Sequence, residues 1–355
     1  MSANQALFTP LNQKPSSLAN WGGVHLKALR VYSGVISVVV PTRNNEGTIV
    51  ELLESLARQT LGDFEVIVAD SSSDRTPEIA SRYPFVRVVR VPPAGINVAR
   101  NAGLRAARGE IVAFTDGDCR APPDWLESVR RFFEEHPDAV AVGGSVLTAR
   151  EISGSTTALY YNEALWPMMT IYERELEITA RNFHRVRVPN GNNMAFKREV
   201  LLSNPFDEGI KGGYDEVELL WRLCRAGYRV YASPTIRVEH FHGGGLGKML
   251  KRAFSYGRGH TMFFLKHRKA PLALYGLLGA LALYSFYASA ALLAVIGLPH
   301  LLLIPPLAYL ALAALYLAKG RGLRSLAYPL FDIAFYSTMA AGMLYELARR
   351  GLPGK

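Results

Sequence analysis

Cysteine is nearly absent. Cys119 and Cys224 are the only two in 355 residues, far apart and without CxxC or CxH spacing, so neither a disulfide framework nor a zinc site is indicated and a reducing compartment fits. Residues 1 to 20 lack the apolar core of a signal peptide, so nothing there is expected to export the domain behind it. No repeat of solenoid length is visible. Acidic residues are outnumbered, 30 against 40 basic ones, and from 272 to 296 formal charge is missing altogether.

The net charge of +10 suits nucleic acid, a membrane surface or a phosphorylated substrate. Position decides for the membrane. Lys248, Lys251, Arg252, Arg258, Lys266, Arg268 and Lys269 crowd the segment leading into the uncharged stretch, where cations would meet anionic headgroups. A spanning helix needs about 20 apolar residues. Three candidates are visible, at 272–296, 300–318 and 326–347, with Pro305-Pro306 inside the second and Asp332 inside the third. An intramembrane Asp is costly, so Asp332 is expected to face other helices or the interface rather than lipid. Three spans place the basic clusters at 266–269 and at Lys319, Arg321 and Arg324 on the cytoplasmic side, but leave Arg349 and Arg350 outside, against the positive-inside trend.

Residues 1–34 read as a polar lead-in with a short helix near 24–31. From Val35 a rhythm sets in. VISVVVP is a continuous β-branched run, as expected of a parallel strand buried on both faces. A helix over 46–59 comes next, then strand FEVIVAD, a short helix over 76–82, strand FVRVVRV, a helix over 94–108 and strand EIVAFTD. This alternation predicts a doubly wound, mostly parallel α/β sheet with a Rossmann-like nucleotide-binding half, whose ligands sit beyond the carboxyl ends of the strands. Pro41-Thr42-Arg43, Asp70 and Asp116-Gly117-Asp118 then converge on one edge. Beyond them, Pro122-Pro123 starts a helix to about Glu135, and AVAVGGSVL is a further strand. The aromatic stretch 155–185, with Tyr160, Tyr161, Trp166, Met168, Met169 and Tyr172, reads as core packing or as a helix in the membrane interface.

Two carboxylates separated by one glycine at a strand end, Asp116 and Asp118, can reach a hard cation and a ribose or phosphate together, as Mg²⁺ or Mn²⁺ is usually held. Asp70 closes the neighbouring strand and could accept hydrogen bonds from a base or ribose, or simply form the turn before Ser71-Ser72-Ser73. His240 and His242, in VEHFHGGG, stand just past a strand end, and the glycines behind them permit close backbone approach to a pyrophosphate or metal.

PTRNNE at 41–46, VIVADSSSDRT at 66–76, INVARNAGLRAARGEIVAFTDGDC at 96–119 and NGNNMAFKRE at 190–199 together resemble family 2 inverting glycosyltransferases, in family order, over about 35–259. The resemblance implies a GT-A catalytic domain over 35–245, and the charge and apolar runs add a basic amphipathic interfacial segment over 246–270 and a membrane domain over 271–348. It places Pro41, Thr42, Arg43, Asp70, Arg100, Asn190 and Gly191 around a nucleotide-sugar donor, assigns Asp116 and Asp118 to ribose and metal, and puts His240 near metal or diphosphate. The usual Glu-Asp pair before a Leu- and Arg-rich helix is reversed here. In FDEGIKGGYDEVELLWRL, Asp215-Glu216 stands in that place, so Glu216 aligns with the base and Asp215 is a substitute. The expected protein moves a hexose, mannose from GDP-mannose before glucose from UDP-glucose, to a hydroxyl of a lipid or lipid-linked acceptor, on the cytoplasmic side of a multi-pass membrane protein. No nucleic-acid partner is expected. Alternatives are a polyprenyl-phosphate sugar synthase, whose ionised acceptor needs no base, and a non-catalytic nucleotide-binding scaffold. No QxxRW segment precedes the spans, against a processive synthase.

Overall fold

The computed structural model describes residues 35–242, 244–295 and 304–350. The lead-in with its expected helix, and residues 296–303 into which two expected spans extend, lie outside the described residues.

The expected rhythm is present as β1 (Ile36–Thr42), α1 (Ile49–Ala57), β2 (Phe64–Asp70), α2 (Thr76–Ala80), β3 (Val86–Arg90), α3 (Ile96–Ala106) and β4 (Ile111–Thr115). Next come β5 (Cys119–Arg120), α4 (Trp125–Glu135), β6 (Ala139–Thr148), α5 (Thr156–Glu163), β7 (Leu176–Ile178), β8 (Asn193–Lys197), α6 (Arg198–Ser203), α7 (Asp215–Arg225) and β9 (Arg229–His240). All strands join one sheet in the order β3-β2-β1-β4-β8-β6-β9-β5, with β7 on β9. β1 is buried along its whole length, and the reason is visible in its packing. Ile36, Val38 and Val40 enter one core cluster with Leu52, Leu53, Trp125 and Phe133, whereas Val39 enters the other with Phe114, Phe196, Phe206 and Leu220.

The sheet is mixed, which corrects the mostly parallel expectation. β3, β2, β1 and β4 run parallel, as does the β6–β9 pair, but β8 is antiparallel to both β4 and β6, and β5 and β7 are antiparallel to β9. β8 enters beside β4 from the NGNNMAFK segment and reverses the direction at the sheet's centre. Its Asn193 fixes the join by donating to the carbonyls of Ser145 and Ile236, while Trp125 Nε1 donates to its Oδ1 at 3.0 Å.

Helices α8 (Leu246–Lys266), α9 (Pro271–Val295), α10 (Ile304–Ala318) and α11 (Tyr328–Arg350) complete the described chain. Among the described residues one helical segment, Pro271–Ser289, is long and apolar enough to cross a membrane, and Pro306–Ala318 is a shorter apolar helix. The third expected span, α11, packs along α8. Arg258 of α8 donates to the buried Glu346 of α11, and Arg349 and Arg350 donate to the same carboxylate. The two arginines that offended the charge rule therefore sit beside α8. Asp332 accepts from Tyr160 at 2.6 Å and Tyr316 at 2.7 Å, so it does face protein. Tyr160, Tyr161 and Met169 of the aromatic stretch are core residues, whereas Trp166 is 73% exposed.

Candidate active site

The carboxyl ends of β1, β2 and β4 meet at one edge, as the topology requires. A pocket of about 250 Å³ there is walled by Pro41, Thr42, Arg43, Asn45, Ser71, Gly95, Ile96, Ala99, Asp116, Gly117 and Asp118. Asp116 and Ile96 are shared with an adjoining cleft of about 560 Å³, into which Arg100, Asn190, Gly191, Asp215, Glu216 and His240 also face. Eleven of the twelve residues that the family resemblance assigns to the site thus line these two adjoining hollows.

Asp70 is the exception. It is fully buried, and its oxygens are taken: Thr42 Oγ1 donates at 2.7 Å, Ser72 donates from Oγ at 2.6 Å and from its backbone at 3.1 Å, and Arg90 pairs with it. A carboxylate so satisfied holds the β1 and β2 ends together, and Ser71 rather than Asp70 lines the pocket.

Arg100 joins the two acidic groups. Its guanidinium donates to Asp215 and lies 4.0 Å from Asp116 Oδ1, with Phe206 stacked 5.2 Å away. Burial opposes a charge there, but Asp215 and then Asp116 outweigh it and hold the guanidinium protonated. Gly191 is needed for this fit. A Cβ at that position would lie 2.5 Å from Arg100 Nη2. Asn190 donates to Met168 O and accepts from Thr170 N, tying down the facing wall.

Asp215 and Glu216 open α7 after three left-handed residues, Gly212, Gly213 and Tyr214, with φ of 94°, 116° and 64°. That turn brings both carboxylates back over the cleft. Their surroundings differ. Asp215 is buried on Arg100, whereas Glu216 is pushed up to about 8, by burial first and by the charge of Asp215 next. A carboxyl poised near neutral pH beside a fixed ion pair is the arrangement expected of a proton acceptor.

His240 Nε2 lies 3.1 Å from Asp118 Oδ1. Backbone pairing of Cys119 with His240, through β5 and β9, sets that distance. Burial works to raise Asp118, yet His240 outweighs it and leaves the carboxyl below its usual range, while burial raises Asp116. Asp116 Oδ1 is buried without a hydrogen-bond partner, an oxygen available to a cation. Asp118, Cys119 and His240 offer ligand atoms within 4.8 Å of one another. Burial, then Asp118 and Asp116, pushes the Cys119 thiol well up, so it stays protonated, and Asp118 with His240 fits a hard divalent cation better than thiolate chemistry would.

Ser255 and Tyr256 of α8 also line the cleft, together with Lys248, Lys251 and Arg252, whose basic segment suits either a leaving phosphate or anionic lipid. Their helical spacing was legible; the side they face was not.

Residues 37–201 match the glycosyl transferase family 2 model. Among curated proteins, a pre-mycofactocin glycosyltransferase of Mycobacterium tuberculosis is 29% identical over 247 residues, 68% of this chain and 50% of that protein. A glucosyl-dolichyl phosphate glucuronosyltransferase of Haloferax volcanii is 31% identical over 190 residues, 51% of this chain and 56% of that one. The chain spans about half the length of these curated relatives. A mannosyltransferase from Pyrobaculum calidifontis, solved with GDP-Man and Mn²⁺, aligns with a TM-score of 0.63 over 90% of this chain and 89% of that one at 24% identity, so the fold is shared. The family 2 match thus covers residues 37–201, and the mixed sheet that contains them is the fold of the Pyrobaculum protein.

Proposed function

We propose that the chain is a membrane-bound inverting hexosyltransferase that uses a nucleotide-diphosphate sugar, GDP-mannose before UDP-glucose, and glycosylates a hydroxyl of a lipid or lipid-linked acceptor. One observation carries this reading. Asp116, His240, Arg100 and Glu216 line one cleft, Arg100 lies between Asp116 and Asp215, and His240 reaches Asp118 of the adjoining pocket.

The nucleoside lies in the smaller pocket, against Pro41, Thr42, Arg43 and Ser71, and the diphosphate reaches toward Asp118. Asp118 and His240, with Asp116 at hand, would hold Mg²⁺ or Mn²⁺, which would supply charge neutralisation for the departing diphosphate. Lys248, Lys251 and Arg252 add positive charge on the same wall. Glu216 takes the acceptor's proton as the hydroxyl oxygen bonds to the anomeric carbon. The sugar–phosphate C–O bond breaks on the opposite face, its electron pair leaves with the nucleoside diphosphate, and the configuration inverts. Arg100 holds Asp215 in an ion pair, so that Glu216 is left as the proton acceptor.

The Pyrobaculum mannosyltransferase, solved with GDP-Man and Mn²⁺, supports donor and metal, and the Haloferax relative, named for a sugar on dolichyl phosphate, supports a lipid-linked acceptor. In this reading α9 and α10 enter the membrane as a pair, with 266–269 and Lys319, Arg321 and Arg324 at the cytoplasmic face beside the catalytic domain. The test is a panel of radiolabelled GDP- and UDP-sugars, each with Mn²⁺ and a membrane lipid extract. Transfer of label from GDP-mannose into the organic phase is expected. Absence of turnover with every donor would leave a nucleotide-binding scaffold.

A further inference from the structure

His240 does not stand alone. Its Nδ1 lies 2.9 Å from Nδ1 of His242, and His242 Nε2 lies 2.9 Å from the carbonyl oxygen of Ala158 and 3.2 Å from Thr148 Oγ1. These contacts fix where hydrogens must be. A carbonyl oxygen only accepts, so His242 Nε2 carries a hydrogen. The Thr148 hydroxyl donates elsewhere, to Asn162 Oδ1 at 2.6 Å, and Asn162 cannot flip because its Nδ2 donates to the carbonyls of Val146 and Met169 at 2.8 and 3.1 Å. Thr148 Oγ1 is therefore a second acceptor at His242 Nε2. With that hydrogen placed, the neutral His242 ring has a lone pair at Nδ1, and the facing Nδ1 of His240 must be the donor. The remaining nitrogen of His240, Nε2, is then the one directed at Asp118, 3.1 Å away. His242 is fully buried against the ring of Tyr161, at 4.6 Å between centroids, so the chain of contacts is held by packing as well.

We propose that His242 is a positioning residue: by accepting the Nδ1 hydrogen of His240 it fixes the neutral ring's hydrogen on Nδ1, so that Nε2, the nitrogen facing Asp118, is the one that would ligate a divalent cation there. This rests on Asp118 and His240 being the residues that hold the metal. The same logic gives Thr148 and Asn162 a place behind the site, since they set which nitrogen of His242 is protonated. Outer partners of a ligating histidine commonly fix its tautomer and ring orientation and raise its basicity. Nothing in the VEHFHGGG motif by itself separates the two histidines. The strand end does: β9 terminates at His240, and the turn beyond it folds His242 back under the first ring toward α5.

The experiment measures Mn²⁺ binding rather than turnover. The full-length protein in detergent is titrated with Mn²⁺ in the presence of saturating GDP, and separately UDP, with free Mn²⁺ read by electron paramagnetic resonance and histidine nitrogen coupling to bound Mn²⁺ read by spin-echo modulation. Three variants are compared: His240→Ala, His242→Phe, which keeps a ring against Tyr161 but offers no acceptor, and His242→Asn, whose amide oxygen can occupy the Nδ1 position. Expected is loss of the nitrogen coupling in His240→Ala, a roughly 10- to 100-fold weaker Mn²⁺ affinity in His242→Phe, and rescue to within about threefold of wild type in His242→Asn. Wild-type affinity in a folded His242→Phe would overturn the proposal while leaving the metal site standing. Absence of nitrogen coupling in the wild type would overturn the metal reading itself. Should His242→Phe fail to fold, His242→Gln replaces it, and equal Mn²⁺ affinity in the Gln and Asn variants would overturn the proposal.

Discussion

Glu216→Gln removes one proton-accepting oxygen and changes almost nothing else. The amide has nearly the same size, stays in the cleft wall, and relieves the repulsion between Glu216 and Asp215, so folding should not suffer. A positioned general base contributes about 10²- to 10⁴-fold, which is about 3–5 kcal/mol of barrier. The variant should therefore lose that much kcat while binding of GDP or UDP, proposed to occupy the adjoining pocket, stays the same. A pH profile sharpens the test. With Glu216 near 8, the wild-type kcat/KM should fall about tenfold per pH unit below that value as the carboxyl takes up a proton, and the Gln variant should lack this limb. Stability moves in the same pH window. The folded state binds the Glu216 proton more tightly than the unfolded state, so this group's contribution is greatest below about 4.5 and is lost as pH rises through about 8, and the variant should lose that slope. The assay is radiolabelled sugar transfer across pH 5 to 10, with thermal melting in parallel. A dead Asp215→Asn beside an active Glu216→Gln would move the base to Asp215. Full activity in both would mean an acceptor that arrives ionised, as polyprenyl phosphate does, and the hydroxyl reading would fall.

Gly191→Ala should cost on the order of 10²-fold in kcat/KM with a much smaller change in melting temperature, because the new Cβ displaces an Arg100 that Asp215 and Phe206 otherwise hold in place; kinetics and thermal scans on the same preparation check this. Glu218 is fully buried on Arg222, Lys266 and His267, and although burial acts to raise it these partners hold it at about 2. It should stabilise the α7–α8 junction by on the order of 3 kcal/mol at neutral pH, a contribution present above about 4.5 and lost as pH falls toward about 2, so Glu218→Gln should be less stable at pH 7 and flatter in acid denaturation. Arg90→Met strips the countercharge from buried Asp70 and should weaken GDP or UDP binding in calorimetry by loosening the Thr42–Ser72 wall, with no change in metal affinity.

Most of the nucleotide half was legible because it is repetitive. β1, β2 and β4 are apolar runs that end in polar residues, and a parallel sheet must bring such ends to one edge, so Thr42, Asp116 and Asp118 could be placed together from spacing alone. The second half was not. β5 has two residues and β7 three, too short to show a period, and β8 changes the sheet direction through contacts to Ser145 and Ile236 that are distant in sequence. Asp70 ends its strand at the expected edge, but its carboxylate is turned to Thr42, Ser72 and Arg90, the last from a neighbouring strand and so not legible locally. α11 reads as a span by its apolar residues, and Glu346 finds a partner on α8 while Asp332 finds partners on α5 and α10. Polarity along one helix does not reveal which neighbour will satisfy it.

A crystal of the full chain soaked with Mn²⁺ and GDP or UDP, examined by anomalous diffraction, tests the central claim most directly. The account predicts a manganese peak in coordination distance of Asp118 and His240 Nε2, on the diphosphate side of Asp116. A peak elsewhere, with Asp116 and Asp118 turned from the nucleotide, would contradict it.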